Sequence, residues 1–80
     1  MIKPTVGRVV LYDPTKSDPG GVAPGGPLAA IISWVWSDRM VNLMVIGSDG
    51  ITFARTSVVL VQEDDKMPLP NSGYCEWPRY

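Results

Sequence analysis

Short apolar runs alternate along the chain with turn-forming stretches of glycine, proline and aspartate. Residues 6–12 are mostly β-branched or aromatic and stop at Asp13-Pro14, which predicts a first strand. The same pattern predicts further strands over 28–37, 40–46, 51–57 and, beyond a bend near Arg55, 58–61. The last run either continues the fourth strand or forms a fifth, and a helical period fits none of these segments.

Two segments interrupt the strand pattern. Residues 13–27 contain four prolines and four glycines, a density that no regular element tolerates, so we expect a long loop that is either functional or a disordered connector. Residues 62–80 begin as an acidic, proline-containing tail and end as an aromatic one. Disordered segments are depleted in aromatics, so we expect Tyr74 and Trp77 to pack against the domain or a neighbouring subunit.

The order of these elements predicts the fold class. A long loop after the first strand, followed by meandering strands, indicates a single all-β domain over residues 1–80. We expect an open SH3-like barrel of about five strands, and a five-stranded OB-like barrel is the alternative architecture.

The second predicted strand is apolar on both of its faces. Alternation places Leu28, Ala30, Ile32, Trp34 and Trp36 on one face and Ala29, Ile31, Ser33, Val35 and Ser37 on the other. If the second set faces the core, Ile32, Trp34 and Trp36 point outward, where Met44 and Ile46 of the next strand extend the apolar surface. Either the loop and the tail cover this surface or it is an interface, most simply that of a homo-oligomer.

Composition narrows the classes of function. A net charge of −1 and a pI near 5.0 argue against a partner of duplex nucleic acid. No signal-peptide or membrane-helix pattern is present, so we expect a cytoplasmic protein. There is no histidine, Cys75 is the only cysteine, and no phosphate loop, dinucleotide fingerprint or metal spacing occurs. We therefore expect no enzyme activity, no metal and no cofactor.

Binding chemistry is better represented than catalytic chemistry. Arg39 and Arg55 lie beside hydroxyl side chains, including Thr56 and Ser57, a combination suited to phosphate or carboxylate. The rings that could stack on a base are those of Trp34, Trp36, Tyr74 and Trp77. The three tryptophans and Asn42 complete the candidate ligand-binding set. The alternatives are surface ion pairs of the arginines with Asp38 or Asp49, and core or interface packing of the tryptophans.

Four segments carry a resemblance to a known group. Residues 1–10 (MIKPTVGRVV), 37–43 (SDRMVNL), 55–58 (RTSV) and 73–77 (GYCEW) together resemble short proteins encoded by tailed bacteriophages and prophages. Small oligomeric phage proteins include sponges that sequester cyclic nucleotide immune signals, such as the anti-CBASS and anti-Thoeris proteins. By analogy, the resemblance implies a viral anti-defence protein acting in the host cytoplasm.

Two functions follow as expectations. The first is a homo-oligomer that captures a small phosphorylated ligand such as a cyclic nucleotide, held by the arginines and stacked on the tryptophans. The second is a protein-interaction module that uses the apolar surface against a host factor or a virion component. Arginines converging with aromatics in a concave site would favour the ligand, whereas arginines scattered around a flat apolar patch would favour the protein partner.

Overall fold

A computed structural model describes residues 2–15, 18, 27–62, 65 and 73–78, and in these ranges every regular element is a β-strand. The strands are β1 (Val9–Asp13), β2 (Leu28–Ser37), β3 (Met40–Ile46), β4 (Thr52–Val61) and β5 (Tyr74–Glu76). Most of the expected loop over 13–27, and the tail apart from Gln62, Asp65 and 73–78, lie outside the described residues. The described chain contains no helix long and apolar enough to span a bilayer.

The strands close into a barrel in the order β1-β2-β3-β4-β5. Each neighbouring pair is antiparallel except β4 with β5, and β5 closes the ring by pairing with β1. This confirms the all-β barrel, although it is closed where the sequence suggested an open one. Strands that follow one another around the ring form a meander, the SH3-like order, rather than the Greek key of an OB-fold.

The strand boundaries differ from the sequence prediction at the first strand and in the tail, and they decide the alternative left open for residues 58–61. β1 begins at Val9 rather than at residue 6, because Gly7 has a φ of 95° and forms a turn whose N–H donates to the Ile32 carbonyl at 2.8 Å. Residues 52–61 form one strand, with Ser57 at a φ of 54° inside it. The fifth strand is therefore β5, in the segment that the sequence identified only as an aromatic tail.

The barrel interior is filled by alternate side chains of all five strands. The fully buried hydrophobic side chains include Val10, Ala30, Ile32, Val41, Val45, Leu60 and Cys75. Val41, Leu43 and Val45 share the inward face of β3, as their alternation predicted. Burial raises the pKa of the Cys75 thiol to about 12, with a further contribution from the charge of Glu76.

The prediction that Ile32 shares a face with Trp34 and Trp36 is wrong. Ile32 pairs with Leu43, and Trp34 pairs with Asn42, so Ser33 is an extra residue in β2. Such a β-bulge exchanges the two faces of a strand. Before the bulge Leu28, Ala30 and Ile32 point inward, and after it the tryptophans point outward while Val35 packs against the core.

Gln62 holds the closing strand to the rest of the barrel. Its side-chain oxygen accepts hydrogen bonds from Ile2 N at 3.1 Å and Trp77 Nε1 at 3.0 Å. Its amide nitrogen donates to the carbonyls of Ile2 at 2.9 Å and Asp38 at 2.8 Å. We call β5, Gln62 and Trp77 the seam. Tyr74 and Trp77 are buried here, which confirms the expectation that they pack, and they do so within their own chain.

Candidate functional site

The outward side of β2, β3 and β4 is an apolar surface. Strand pairing aligns Ile31 with Met44 and Met44 with Ala54, and Val9 of β1 joins this row opposite Ile31. Met44 is 40% exposed, and Val9 and Val59 are also exposed. We call this surface, with Trp34, Trp36 and Asn42, the outward face. No described part of the loop or tail covers it, since residues 73–78 lie in the seam.

Two tryptophans stand at one side of the outward face. Trp34 is 55% exposed and Trp36 is 60% exposed, and their ring centroids lie 6.4 Å apart with the planes at 74°. This edge-to-face geometry is a favourable one for aromatic pairs. We call the pair the tryptophan ridge, and it exists because β2 has register shifts on both sides of Val35.

Asn42 fixes the ridge to the neighbouring strands. Its side-chain oxygen accepts a hydrogen bond from Trp36 Nε1 at 2.9 Å and another from Ser57 N at 2.8 Å. Ser57 has the left-handed φ of 54°, which costs a non-glycine residue roughly 1–2 kcal/mol. The strained bulge of β4 and the position of the Trp36 ring therefore depend on one side chain of β3.

Arg55 lies on the inward side of β4. It pairs with the buried Leu43 across the sheet, and its guanidinium lies 4.7 Å over the Phe53 ring. Its Nε and NH2 groups donate to one carboxylate oxygen of Asp18, whose side chain is 2% exposed. The other oxygen of Asp18 accepts hydrogen bonds from Tyr12 OH at 2.7 Å and Thr15 N at 2.8 Å.

Electrostatics in this cluster favour a charged carboxylate and a neutral phenol. Burial opposes the charge on Asp18, but hydrogen bonds from Thr15, Tyr12 and Arg55 outweigh that cost and lower its pKa. The hydrogen bond to Asp18 raises the pKa of Arg55. Burial, followed by the hydrogen bond to Asp18, raises the pKa of Tyr12 to about 12. The charges of Asp18 and Arg55 are therefore paired with each other within the cluster.

Arg39 occupies the β2–β3 turn and also has a carboxylate partner. Its Nε and NH2 groups lie 2.8 Å and 2.6 Å from Asp65 Oδ1, and its backbone N–H donates to Ser37 Oγ. The hydrogen bond from Arg39 lowers the pKa of Asp65. Ion pairs were the alternative that the sequence left open for both arginines, with Asp38 or Asp49 as the acid. The acids are instead Asp65 and Asp18.

The structure therefore divides the candidate ligand-binding residues. Trp34, Trp36, Asn42, Ser57 and the exposed Thr56 lie together on the outward side of the sheet. The two arginines are ion-paired elsewhere, and Trp77 is buried in the seam beneath Arg8, whose guanidinium lies 4.8 Å from the ring centroid. The ranges that the structure describes hold no group of three His, Cys, Asp or Glu side chains that could bind a metal ion.

Sequence reasoning missed several members of the outward face. Val9 and Ala54 enter it only through the strand register, which a single sequence does not reveal. Asp18 and Gln62 are the two buried polar side chains among the described residues. The sequence marked them only as a loop residue and a tail residue.

Comparison with known proteins gives no family for this chain. No protein-family model matches it, no curated protein matches its sequence, and no solved structure matches its fold. Its function is therefore argued from the arrangement of its own residues.

Proposed function

We propose that this chain is a non-catalytic binding protein and that its outward face binds another protein. The observation that carries the proposal is the exposed tryptophan ridge held in place by Asn42. Large aromatic side chains that are ordered before binding lose little conformational entropy on association, and they dominate the energetics of protein interfaces.

The polar chemistry of the ridge supports a protein partner. The indole N–H of Trp36 already donates to Asn42, so a partner that covers the ring need not supply an acceptor for it. Beside the ridge, Ile31, Met44 and Ala54 form one row across the outer wall of the barrel. Tryptophan and methionine are enriched at the centres of protein interfaces.

The nucleotide-sequestering hypothesis has less support from this geometry. A phosphate at Arg39 or Arg55 would have to replace Asp65 or Asp18, and neither arginine lies with the tryptophans on the outward face. That hypothesis stays a prediction with its own test. If it holds, Arg39→Ala or Arg55→Ala should weaken binding of a cyclic nucleotide about 10- to 150-fold in calorimetry. Under the protein-binding proposal, wild-type protein binds none of a panel of cyclic di- and trinucleotides and cyclic ADP-ribose isomers.

The resemblance to phage proteins sets the proposed context. A phage-encoded binding module in the host cytoplasm would meet host proteins, virion components and further copies of itself. The outward face can serve any of these, since the proposal requires only that the occupant be a polypeptide with an apolar surface.

Native mass spectrometry of protein purified from producing cells tests the proposal. We expect the wild type to retain a protein chain, and the double variant Trp34→Ala/Trp36→Ala to lose it. Ile51→Ala is the matched control, because Ile51 is 63% exposed but lies at the β3–β4 turn. A chain retained equally by the double variant would refute the outward face as the binding surface. A retained nucleotide without a protein would favour sequestration.

A further inference from the structure

The tryptophan ridge has hydrogen-bond donors that its own chain does not use. Trp34 Nε1 has no acceptor among the described residues, whereas Trp36 Nε1 donates to Asn42 and Trp77 Nε1 donates to Gln62. The amide nitrogen of Asn42 also lacks an acceptor in the part of the chain that the structure describes, while its oxygen already accepts two hydrogen bonds. A partner that covers the ridge must therefore supply acceptors, because a buried N–H without one is costly.

The surroundings of the ridge are uncharged. Arg55 is the only charged residue in β2, β3 and β4, and it pairs with Asp18 on the inward side. Across Asn42 from the ridge, β4 places the exposed residues Thr56 and Ser57, whose hydroxyls can donate as well as accept. A neutral partner rich in acceptors matches this surface better than a charged one.

The shape and size of the ridge favour a short, extended occupant. Trp34 and Trp36, exposed by 55% and 60%, offer roughly 250–300 Å² of ring surface, at up to ~250 Å² per ring. A stable contact between two folded domains buries about 800 Å² on each of them. The outer wall of the closed barrel is convex, so a second folded surface would touch it over little more than the ridge. A single segment of chain can lie along the two rings.

A segment bound here cannot pair its backbone in a regular ladder with β2. The pairing of β1 with β2 ends at Ile31, and the next residue, Ile32, is bonded to Gly7 and Arg8. Beyond that point β3 is the only described strand beside β2, but register shifts on both sides of Val35 interrupt the row of backbone groups along the open edge. The N–H groups of an ordinary extended peptide would therefore find few acceptors at the ridge.

We infer that the tryptophan ridge binds a proline-rich segment in the polyproline II conformation, with a backbone carbonyl of that segment accepting a hydrogen bond from Trp34 Nε1. The inference rests on the proposed function and identifies the chemistry of its partner. Proline has no backbone N–H, so such a segment brings acceptors without donors. In polyproline II the carbonyls make no internal hydrogen bonds, and the chain is extended before it binds. Its pyrrolidine rings supply the apolar surface that packs on the indoles.

Nuclear magnetic resonance of the full chain labelled with ¹⁵N tests the donor directly. The indole N–H signals come from Trp34, Trp36 and Trp77, and single Trp→Phe variants assign them. The probe is decaproline with both ends capped, added to about 5 mM because a contact of this area is weak. The Trp34 signal should move downfield as this group gains an acceptor, and the Trp77 signal should stay, because that group lies in the seam. A flexible Gly-Ser peptide of the same length should move neither signal.

Two matched substitutions separate the hydrogen bond from the ring surface. Trp34→Phe keeps an aromatic ring but removes the unused N–H, and it should weaken decaproline binding by about 5- to 150-fold, the effect of an unpaired carbonyl. Trp36→Phe removes a similar ring area, but its N–H is already bonded to Asn42, so binding should weaken by less than about 5-fold. Circular dichroism confirms that both variants are folded.

The inference and the proposed function can fail separately. If no indole signal moves up to the highest decaproline concentration, the inference is wrong, and the mass spectrometry above still decides the protein-binding proposal. Equal losses of affinity in the two Phe variants, equal binding of the Gly-Ser peptide, or a larger shift at Trp77 than at Trp34 would each overturn the inference. A retained protein chain that depends on the ridge but has no proline-rich segment would support the proposed function and overturn the inference.

Discussion

In the seam and on the outward face, a tryptophan donates its indole N–H to the side-chain oxygen of an amide residue. Trp77 donates to Gln62 at 3.0 Å, and Trp36 donates to Asn42 at 2.9 Å. Trp77 is 9% exposed and closes the core, whereas Trp36 remains mostly in water. The same kind of hydrogen bond therefore has a different consequence in each region. At Trp77 it is buried and stabilises the fold, whereas at Trp36 it orients a ring that remains accessible to a partner.

The largest difference between the two regions should appear when their tryptophans are removed. Trp77→Ala should lower the free energy of unfolding by about 3–5 kcal/mol, because it empties a core position and removes one of the two hydrogen bonds to the Gln62 side-chain oxygen. Trp36→Ala should change it by less than about 1 kcal/mol, since most of the ring is already solvated. Urea unfolding followed by circular dichroism measures both. Equal losses of stability in the two variants would contradict the assignment of Trp77 to the fold and of Trp36 to binding.

The two amide residues give a sharper version of the same test. Gln62→Leu removes four hydrogen bonds at a buried site, including those to Ile2 and Asp38, and should destabilise the protein by about 3 kcal/mol. Asn42→Leu removes two exposed ones and should cost about 1 kcal/mol, with the strained Ser57 bulge contributing. Trp36 fluorescence polarisation should fall only in the Asn42 variant. A Gln62 variant as stable as the wild type would show that the seam is held by packing alone.

Alkaline pH should act on the seam and spare the outward face. Cys75 has its pKa raised from 9.0 to about 12 by burial, so its stabilising contribution is complete below pH 9 and is lost as the pH rises towards 12. Loss of the full shift would amount to about 4 kcal/mol, at 1.36 kcal/mol per pH unit. Cys75→Ala should flatten the decline of the melting temperature over this range, and Tyr12→Phe should flatten the part above pH 10. If the melting temperature of both variants falls as steeply with pH as that of the wild type, ionisation of Cys75 and Tyr12 is not the cause of the decline.

The smallest expected effect concerns Asp18. Its pKa is lowered in the folded chain, so its contribution to stability is complete at neutral pH and is lost only as the pH falls below about 4, the ordinary aspartate value. Asp18→Asn should therefore lower stability at pH 7 while reducing the further loss on acidification, as measured by thermal melts from neutral to strongly acidic pH. The tryptophan ridge, without titratable groups, should show no matching change in its exposure to acrylamide quenching.

The same comparison explains what the sequence could predict. The strands from 28 onward, the turn at 47–50 and the packing of Tyr74 and Trp77 follow from local patterns of two-residue alternation and turn residues. The prediction of Ile32 on the outer side was wrong because a bulge at Ser33 changes which residues face inward, and alternation alone assumes no bulge. β5 is three residues long and pairs with strands far away in the sequence, so no local pattern marks it.

The sequence predicted one part of the candidate site correctly and another part wrongly. Trp34, Trp36 and Met44 were recognised as outward side chains because too many apolar residues alternate on both sides of β2 and β3. The sequence pattern gave no reason to place the arginines beside these side chains, because it does not reveal which distant residues come together. Each arginine instead pairs with an acid 26 or 37 positions away, a separation that only the closed barrel brings into contact.

The bonds between Ile2 and Gln62 also bear on the order in which this chain folds. They join residues 60 positions apart, and β1 cannot find β5 until nearly the whole chain is present. β2, β3 and β4 are joined by short turns and can pair early, because little loop entropy is lost. The tryptophan ridge is thus complete before the barrel closes, while Ile32 and Leu43 are still uncovered on the other side of the same sheet. On a ribosome, the proposed binding surface would form first and the core would close last. Factors that slow synthesis of the final residues should therefore prolong an intermediate with apolar side chains exposed on both sides of the sheet.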